Sequence, residues 1–158
     1  AVDVGRFKDV AAPAGLNVFA SAGGVVVDDL FNTGRFDVMT SNFYSCGPVR
    51  YFGNSGDGTF AERTPAVGIR GQVGGLNLAQ ADYDNDGCTD VLVMRGGWEV
   101  AQRRSLLRNS CAGGFSDVTV DAGLSMPTSS QTSAWVDVNN DGWLDLFVGN
   151  EDTRTQLF

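Results

Sequence analysis

The chain has 158 residues, a formal net charge of −8 and no histidine. The acidic balance argues against a nucleic-acid partner, because phosphate contacts need clustered Lys and Arg, and no run of about 18 apolar residues offers a membrane span. Lacking histidine, the chain has no Ser-His-Asp or Cys-His catalysis, and its three cysteines, Cys46, Cys88 and Cys111, form no CxxC pair of the zinc or thioredoxin type.

In chain order the sequence repeats itself. "GRFKDVAAPAGL" opens at Gly5 and returns as "GTFAERTPAVGI" at Gly58 and "GGFSDVTVDAGL" at Gly113. "VVVDDLFNTGRFDVMTSN" from Val25 returns as "LAQADYDNDGCTDVLVMRG" from Leu78 and "SAWVDVNNDGWLDLFVGN" from Ser133. Phe7, Phe60 and Phe115 are spaced by 53 and 55 residues, as are Asp37, Asp90 and Asp145. Two independent landmarks at one period define a tandem repeat. The copies are approximately 5–52, 53–109 and 110–158, the last incomplete.

Each copy reads as short strands. "VLVM" (91–94) and "LDLFV" (144–148) are rich in β-formers and too short for helices. "GNSGDGTF" (53–60) places Asp-Gly between apolar flanks, a hairpin turn. The expected set is one strand before the acidic loop, one after it, one at "RYF" or "LLR", and one at "GTF" or "GGF". Four-stranded units at this period predict an all-β chain of about three propeller blades.

The acidic loops carry the chemistry. "DYDNDGCTD" packs Asp82, Asp84, Asp86 and Asp90 into nine residues. Such crowding is relieved by a hard cation, and Ca²⁺ takes six to eight oxygen ligands. The expected set is the four carboxylates with the carbonyl of Cys88. In the third copy, "DVNNDGWLD", it is Asp137, Asn139, Asp141 and Asp145 with the carbonyl of Trp143. An EF-hand is excluded, because its acidic twelfth place falls on Val93 and Val148, inside strand patterns. The competing reading is a polar hairpin whose aspartates satisfy their own turn. In the first copy Asp29, Phe31 and Thr33 stand where Asp82, Asp84 and Asp86 do, so that loop is expected to be empty, or shaped around Asn32 and Thr33.

With these motifs in place, the chain resembles FG-GAP or VCBS repeats, the blade units of integrin-alpha-type β-propellers, and within them the cartilage-acidic-protein and UnbV-like group. The resemblance implies an extracellular, cell-surface or periplasmic protein, with calcium held structurally and a binding or adhesion role. It also implies an open segment of a longer propeller of some seven blades. Remaining blades or neighbouring subunits would then cover strand edges that three blades leave open. At the blade end opposite the calcium loops, Phe43, Tyr44 and Trp98 form a candidate surface for a protein or glycan partner. Cys88 and Cys111 fall in neighbouring hairpins of one blade and are the candidate disulfide, beside the alternative of three free thiols.

The leading reading is a non-catalytic, calcium-stabilised binding or structural module. Two others stay open: an accessory region of a secreted enzyme, such as a polysaccharide-degrading one, or a subunit of an extracellular assembly. Glu62, Glu99 and Glu151 are far apart along the chain and offer no evident catalytic carboxylate pair.

Overall fold

A computed structural model describes residues 5–98 and 100–158. One short helix, α1 (Ala11–Ala14), precedes eleven strands. β1 (Ala22–Asp28), β2 (Asp37–Asn42), β3 (Arg50–Asn54) and β4 (Phe60–Glu62) form the first sheet. β5 (Asn77–Ala81), β6 (Asp90–Met94), β7 (Ser105–Asn109) and β8 (Phe115–Asp117) form the second, and β9 (Ser130–Val136), β10 (Asp145–Asn150) and β11 (Gln156–Leu157) the third. Neighbours in every sheet are antiparallel and follow chain order, the up-and-down pattern of a propeller blade. No helix among the described residues is long and apolar enough to cross a membrane.

The sheets stack face to face in chain order, β1 packing on β5 and β5 on β9. That stacking explains the burial of β6, all five of whose residues are inside. Val91 and Val93 face the first sheet, in a cluster with Val26, Met39, Tyr51, Val67, Ile69 and Phe115. Leu92 and Met94 face the third, with Leu106, Leu124, Leu146 and Val148. A strand covered on both faces reads as a continuous apolar run, and "VLVM" is one.

The outer sheets are covered on one face only. Val26 is buried in β1, while Val25 and Val27 are 59% and 54% exposed. In β10 Leu146 and Val148 are buried while Phe147 is 41% exposed. β1 and β5 approach so closely that a side chain on Gly24 would strike the backbone of Asn77 and Leu78.

Candidate functional site: three acidic loops at one end of the blades

The first two strands of each sheet are joined by an acidic loop, and all three loops share one backbone. Their fourth residues, Asn32, Asn85 and Asn140, lie in the left-handed region at φ 52°, 57° and 58°. Asparagine is one of the few side chains that tolerates this conformation. The leading aspartate closes each turn. Asp82 accepts from the Asp86 and Gly87 amides (3.0 and 2.9 Å), and Asp137 from those of Asp141 and Gly142 (3.1 and 2.9 Å). Asp29 does the same with Thr33 and Gly34 (2.7 and 2.6 Å). Desolvation pushes the Asp29 carboxyl up, but donation from the Thr33 and Gly34 amides and the Thr33 hydroxyl outweighs it, and the group lies below its ordinary value.

The second loop brings Asp82, Asp84 and Asp86 together, with one carboxylate oxygen from each within 4.8 Å of the others. Asp84 Oδ1 is buried and has no hydrogen-bond partner among the described residues. A buried, unpaired carboxylate oxygen is costly, and here it sits beside two further carboxylates. Hard oxygen donors in this arrangement suit a divalent cation such as Ca²⁺. Asp86 and the Cys88 and Cys111 sulfurs also lie close together, but both sulfurs belong to a disulfide and offer no thiolate.

Asp90, the last aspartate of the loop, ties it to its neighbours. Its Oδ1 accepts from the Asn109 amide at 2.7 Å and its Oδ2 from the Tyr83 amide at 3.2 Å. Burial raises its carboxyl to about 6 against these two donations, and the Asp84 and Asp86 charges push the same way. A cation in the loop would oppose both influences. Asp37 and Asp145 hold the same post, accepting from the Asn54 and Val138 amides (both 2.9 Å).

In the third loop Asn139 Oδ1 accepts from the Asp141 amide and Asn139 Nδ2 donates to Asp141 Oδ2 (both 2.9 Å). The Trp143 amide donates to Asp141 Oδ1 at 2.9 Å, as the Cys88 amide does to Asp86. The first loop differs in substance. Phe31, in the place of Asp84, turns inward and packs 5.5 Å from both the Tyr51 and Phe115 rings. Apolar packing there replaces the crowded carboxylates.

Adjacent loops are linked across the sheet boundary. Asn32 Nδ2 donates to the Gly87 carbonyl at 3.1 Å, and Asn85 Nδ2 to the Gly142 carbonyl at 3.0 Å. Asn109, fully buried, donates from Nδ2 to the Leu30 carbonyl and, at 3.0 Å, to that of Thr89. Sequence reading does not anticipate these links, although alignment of the loops shows Asn at the fourth place of every copy. Cys88 and Cys111 form a disulfide with Cα atoms 5.5 Å apart, joining the second loop to the β7–β8 hairpin. In the first sheet the same two places are Arg35 and Gly56, whose atoms lie side by side. Cys46 is free and exposed.

At the opposite end of the strands, Phe43 lies 5.7 Å from Tyr44 and 6.3 Å from Trp98, ring centre to ring centre. Tyr44 and Trp98 are 60% and 67% exposed, so the first two sheets together present one aromatic patch. Beside it Arg95 is buried, held by Val73, Gln72, Arg103 and Ser105. Burial lowers its pKa to about 10. Of the glutamates, Glu62 pairs with Arg50 and Glu151 accepts from Gln131, while Glu99 lies outside the described residues.

Residues 29–93 match a family described as FG-GAP-like repeat. The chain is 31% identical over 145 residues to cartilage acidic protein 1 of Xenopus tropicalis, and 32% identical over 146 residues to that of Homo sapiens. Both alignments cover 90% of this chain but only 22% and 21% of the relative. The chain thus spans about a fifth of the length of the curated relatives it matches.

Proposed function

For this chain of FG-GAP-like repeats, of the group that includes cartilage acidic protein 1, we propose the role of an extracellular, non-catalytic binding or structural module. Its second and third acidic loops each hold a Ca²⁺. The observation that carries the cation is Asp84 Oδ1, buried without a partner among three converging carboxylates. The ligands come from Asp82, Asp84, Asp86 and Asp90 with the Cys88 carbonyl, and from Asp137, Asn139, Asp141 and Asp145 with the Trp143 carbonyl. The ion serves stability by joining two strands whose loop would otherwise repel itself. The first loop needs no ion, because Phe31 fills that place with packing.

An oxidising, extracellular setting is supported by the disulfide and by the relatives' name. The partner surface is the Phe43–Tyr44–Trp98 patch, whose exposed rings suit a protein or a glycan. The test is calorimetric titration of the chelator-treated chain with Ca²⁺. Two sites are expected in the wild type and one in Asp84→Ala. Absence of binding heat together with an unchanged melting point would overturn the cation; the partner surface would then stand or fall by Trp98→Ala in a binding assay.

A further inference from the structure

The second sheet departs from the repeat at one buried position. Asn42, Arg95 and Asn150 each stand five residues after the aspartate that opens the second strand of their sheet, Asp37, Asp90 and Asp145. The two asparagines are neutral and bonded within their own turns: Asn42 Oδ1 accepts from the Tyr44 amide and Asn150 Nδ2 donates to the Arg154 carbonyl (both 3.0 Å). An asparagine therefore suffices at this place in the fold. The second sheet instead buries a guanidinium, 7% exposed, and with a pKa of about 10 it stays charged at neutral pH.

Among the described residues no carboxylate bonds to Arg95. Its four acceptors are neutral: the Val73 and Arg103 carbonyls (2.6 and 3.1 Å), Ser105 Oγ and Gln72 Oε1 (both 2.7 Å). Of the five N–H groups of a guanidinium, one on Nη2 is left without an acceptor among these residues. Asp117, the carboxylate whose charge reaches Arg95, is already engaged by both terminal nitrogens of Arg103 and by Gln72 Nε2. Two guanidiniums thus share one carboxylate, and one positive charge is left over in a chain whose net charge is −8. A buried cation without a counter-charge is costly.

That charge opens onto space a ligand can reach. Gln72, Arg95, Gln102, Arg103 and Ser105 line an open cavity of about 360 Å³ at the end of the second sheet away from the acidic loops. Arg95 and Gln102 also line a small crevice with Phe43 and Ser45, and Phe43 is the ring between Tyr44 and Trp98. The charged cavity and the aromatic patch are therefore continuous. The main chain here is already paired, Val73 with Pro48 and Gln102 with Thr128, so recognition falls to side chains. A guanidinium suits a carboxylate, carboxamides and a hydroxyl suit sugar hydroxyls, and an exposed indole offers an apolar face with a polar tip. A peptide would look for main-chain partners, and a polyanion would be repelled by the acidic remainder of the chain.

We propose that this end of the first two sheets binds a glycan through an acidic sugar, whose carboxylate is held by Arg95 and Arg103 and whose neighbouring ring lies on Trp98. The assignment rests on the reading of the Phe43–Tyr44–Trp98 patch as the partner surface, and it is independent of the cation.

The test is calorimetric binding of a panel of oligosaccharides ending in a uronic acid, each paired with the same oligosaccharide carboxyl-reduced to the alcohol, and of an acidic peptide of equal charge. The acid form is expected to bind about tenfold tighter than the alcohol, as a charge-assisted contact does, and added salt should shrink this preference. Arg95→Asn, which installs the residue of the other two sheets, is expected to erase the preference, and Arg103→Gln to reduce it. Trp98→Ala is expected to weaken acid and alcohol alike. Arg103 and Trp98 are half-exposed and exposed, so those two variants decide the matter if melting curves show that Arg95→Asn does not fold. Acid and alcohol bound equally would overturn the acidic sugar, and so would a peptide bound more tightly than every sugar; the aromatic surface survives either result if Trp98→Ala still weakens binding. A panel that does not bind at all overturns the glycan, whereas binding that Trp98→Ala leaves unchanged overturns the surface itself.

Discussion

Replacing Asp84 with asparagine should reverse the order of stability between chelator and calcium. Its carboxylate lies within 4.8 Å of those of Asp82 and Asp86. Two unit charges at that separation repel by about 1 kcal/mol in water, and by about 3 kcal/mol at an effective dielectric of 20. Asp84→Asn removes two of the three repulsions and keeps the shape, and it lightens the burden of the buried Oδ1. In chelator the variant is expected to be more stable by about 1–3 kcal/mol, and for a chain of this size each kcal/mol raises the melting point by about 2–4 °C. In calcium the wild type gains about 2.7 kcal/mol per site when the free ion is at a hundred times its dissociation constant. The variant forgoes most of that at one site and falls below the wild type. Thermal melts of both proteins in both buffers read the four values. A variant less stable than the wild type under both conditions, by the same margin, would refute the cation and leave Asp84 a turn-forming residue.

Three further outcomes follow from the links between elements. Asn85→Gly removes the bond to Gly142 while keeping the left-handed backbone, and is expected to cost about 0.5–1.5 kcal/mol in urea unfolding; Asn85→Ala should cost about 1 kcal/mol more, for the strained φ. Asn109→Ala, which frees the buried Leu30 and Thr89 carbonyls, is expected to cost about 2–4 kcal/mol, against about 1 kcal/mol for the more exposed Asn54→Ala; equal losses would show that the Leu30 contact contributes nothing. Asp117 is pushed up by burial, but donation from Thr119, Gln72 and Arg103 outweighs this and holds it below its usual 3.8. Its folded pKa is depressed, so its stabilisation is complete above that value and is lost as the pH falls through the folded one; Asp117→Asn should flatten this acid limb of a stability-against-pH curve and leave the neutral region parallel to the wild type.

Much of the fold was legible because a tandem repeat states its own period. Asp37, Asp90 and Asp145 mark where the second strand of each sheet begins, and the Phe60 and Phe115 hairpins mark the fourth. The loops were readable by their residue types, since alternating carboxylates before a glycine repel one another unless a cation or the turn's own amides hold them. Interactions between copies were harder to read. Asn32 and Asn85 look like ordinary turn residues until their amides are seen to cross to the next loop. Asp90 looks like one more acid in a row, yet its two oxygens hold Tyr83 and Asn109 in place.

Composition, period and loop spacing, all local along the chain, determined the sheet type, the number of units and the chemistry of the loops. The phase of the repeat was not determined locally. A periodic sequence can be cut anywhere, and only strand pairing decides that a sheet runs from Ala22 to Glu62, with the segment around Phe7 outside it. Burial was likewise a tertiary outcome. Val25 and Leu78 hold equivalent places in their strands, but Leu78 is covered by the preceding sheet while Val25 is 59% exposed. No property of either residue settles that difference. It depends on what lies across the face, roughly 10 Å away in space and some fifty residues away along the chain.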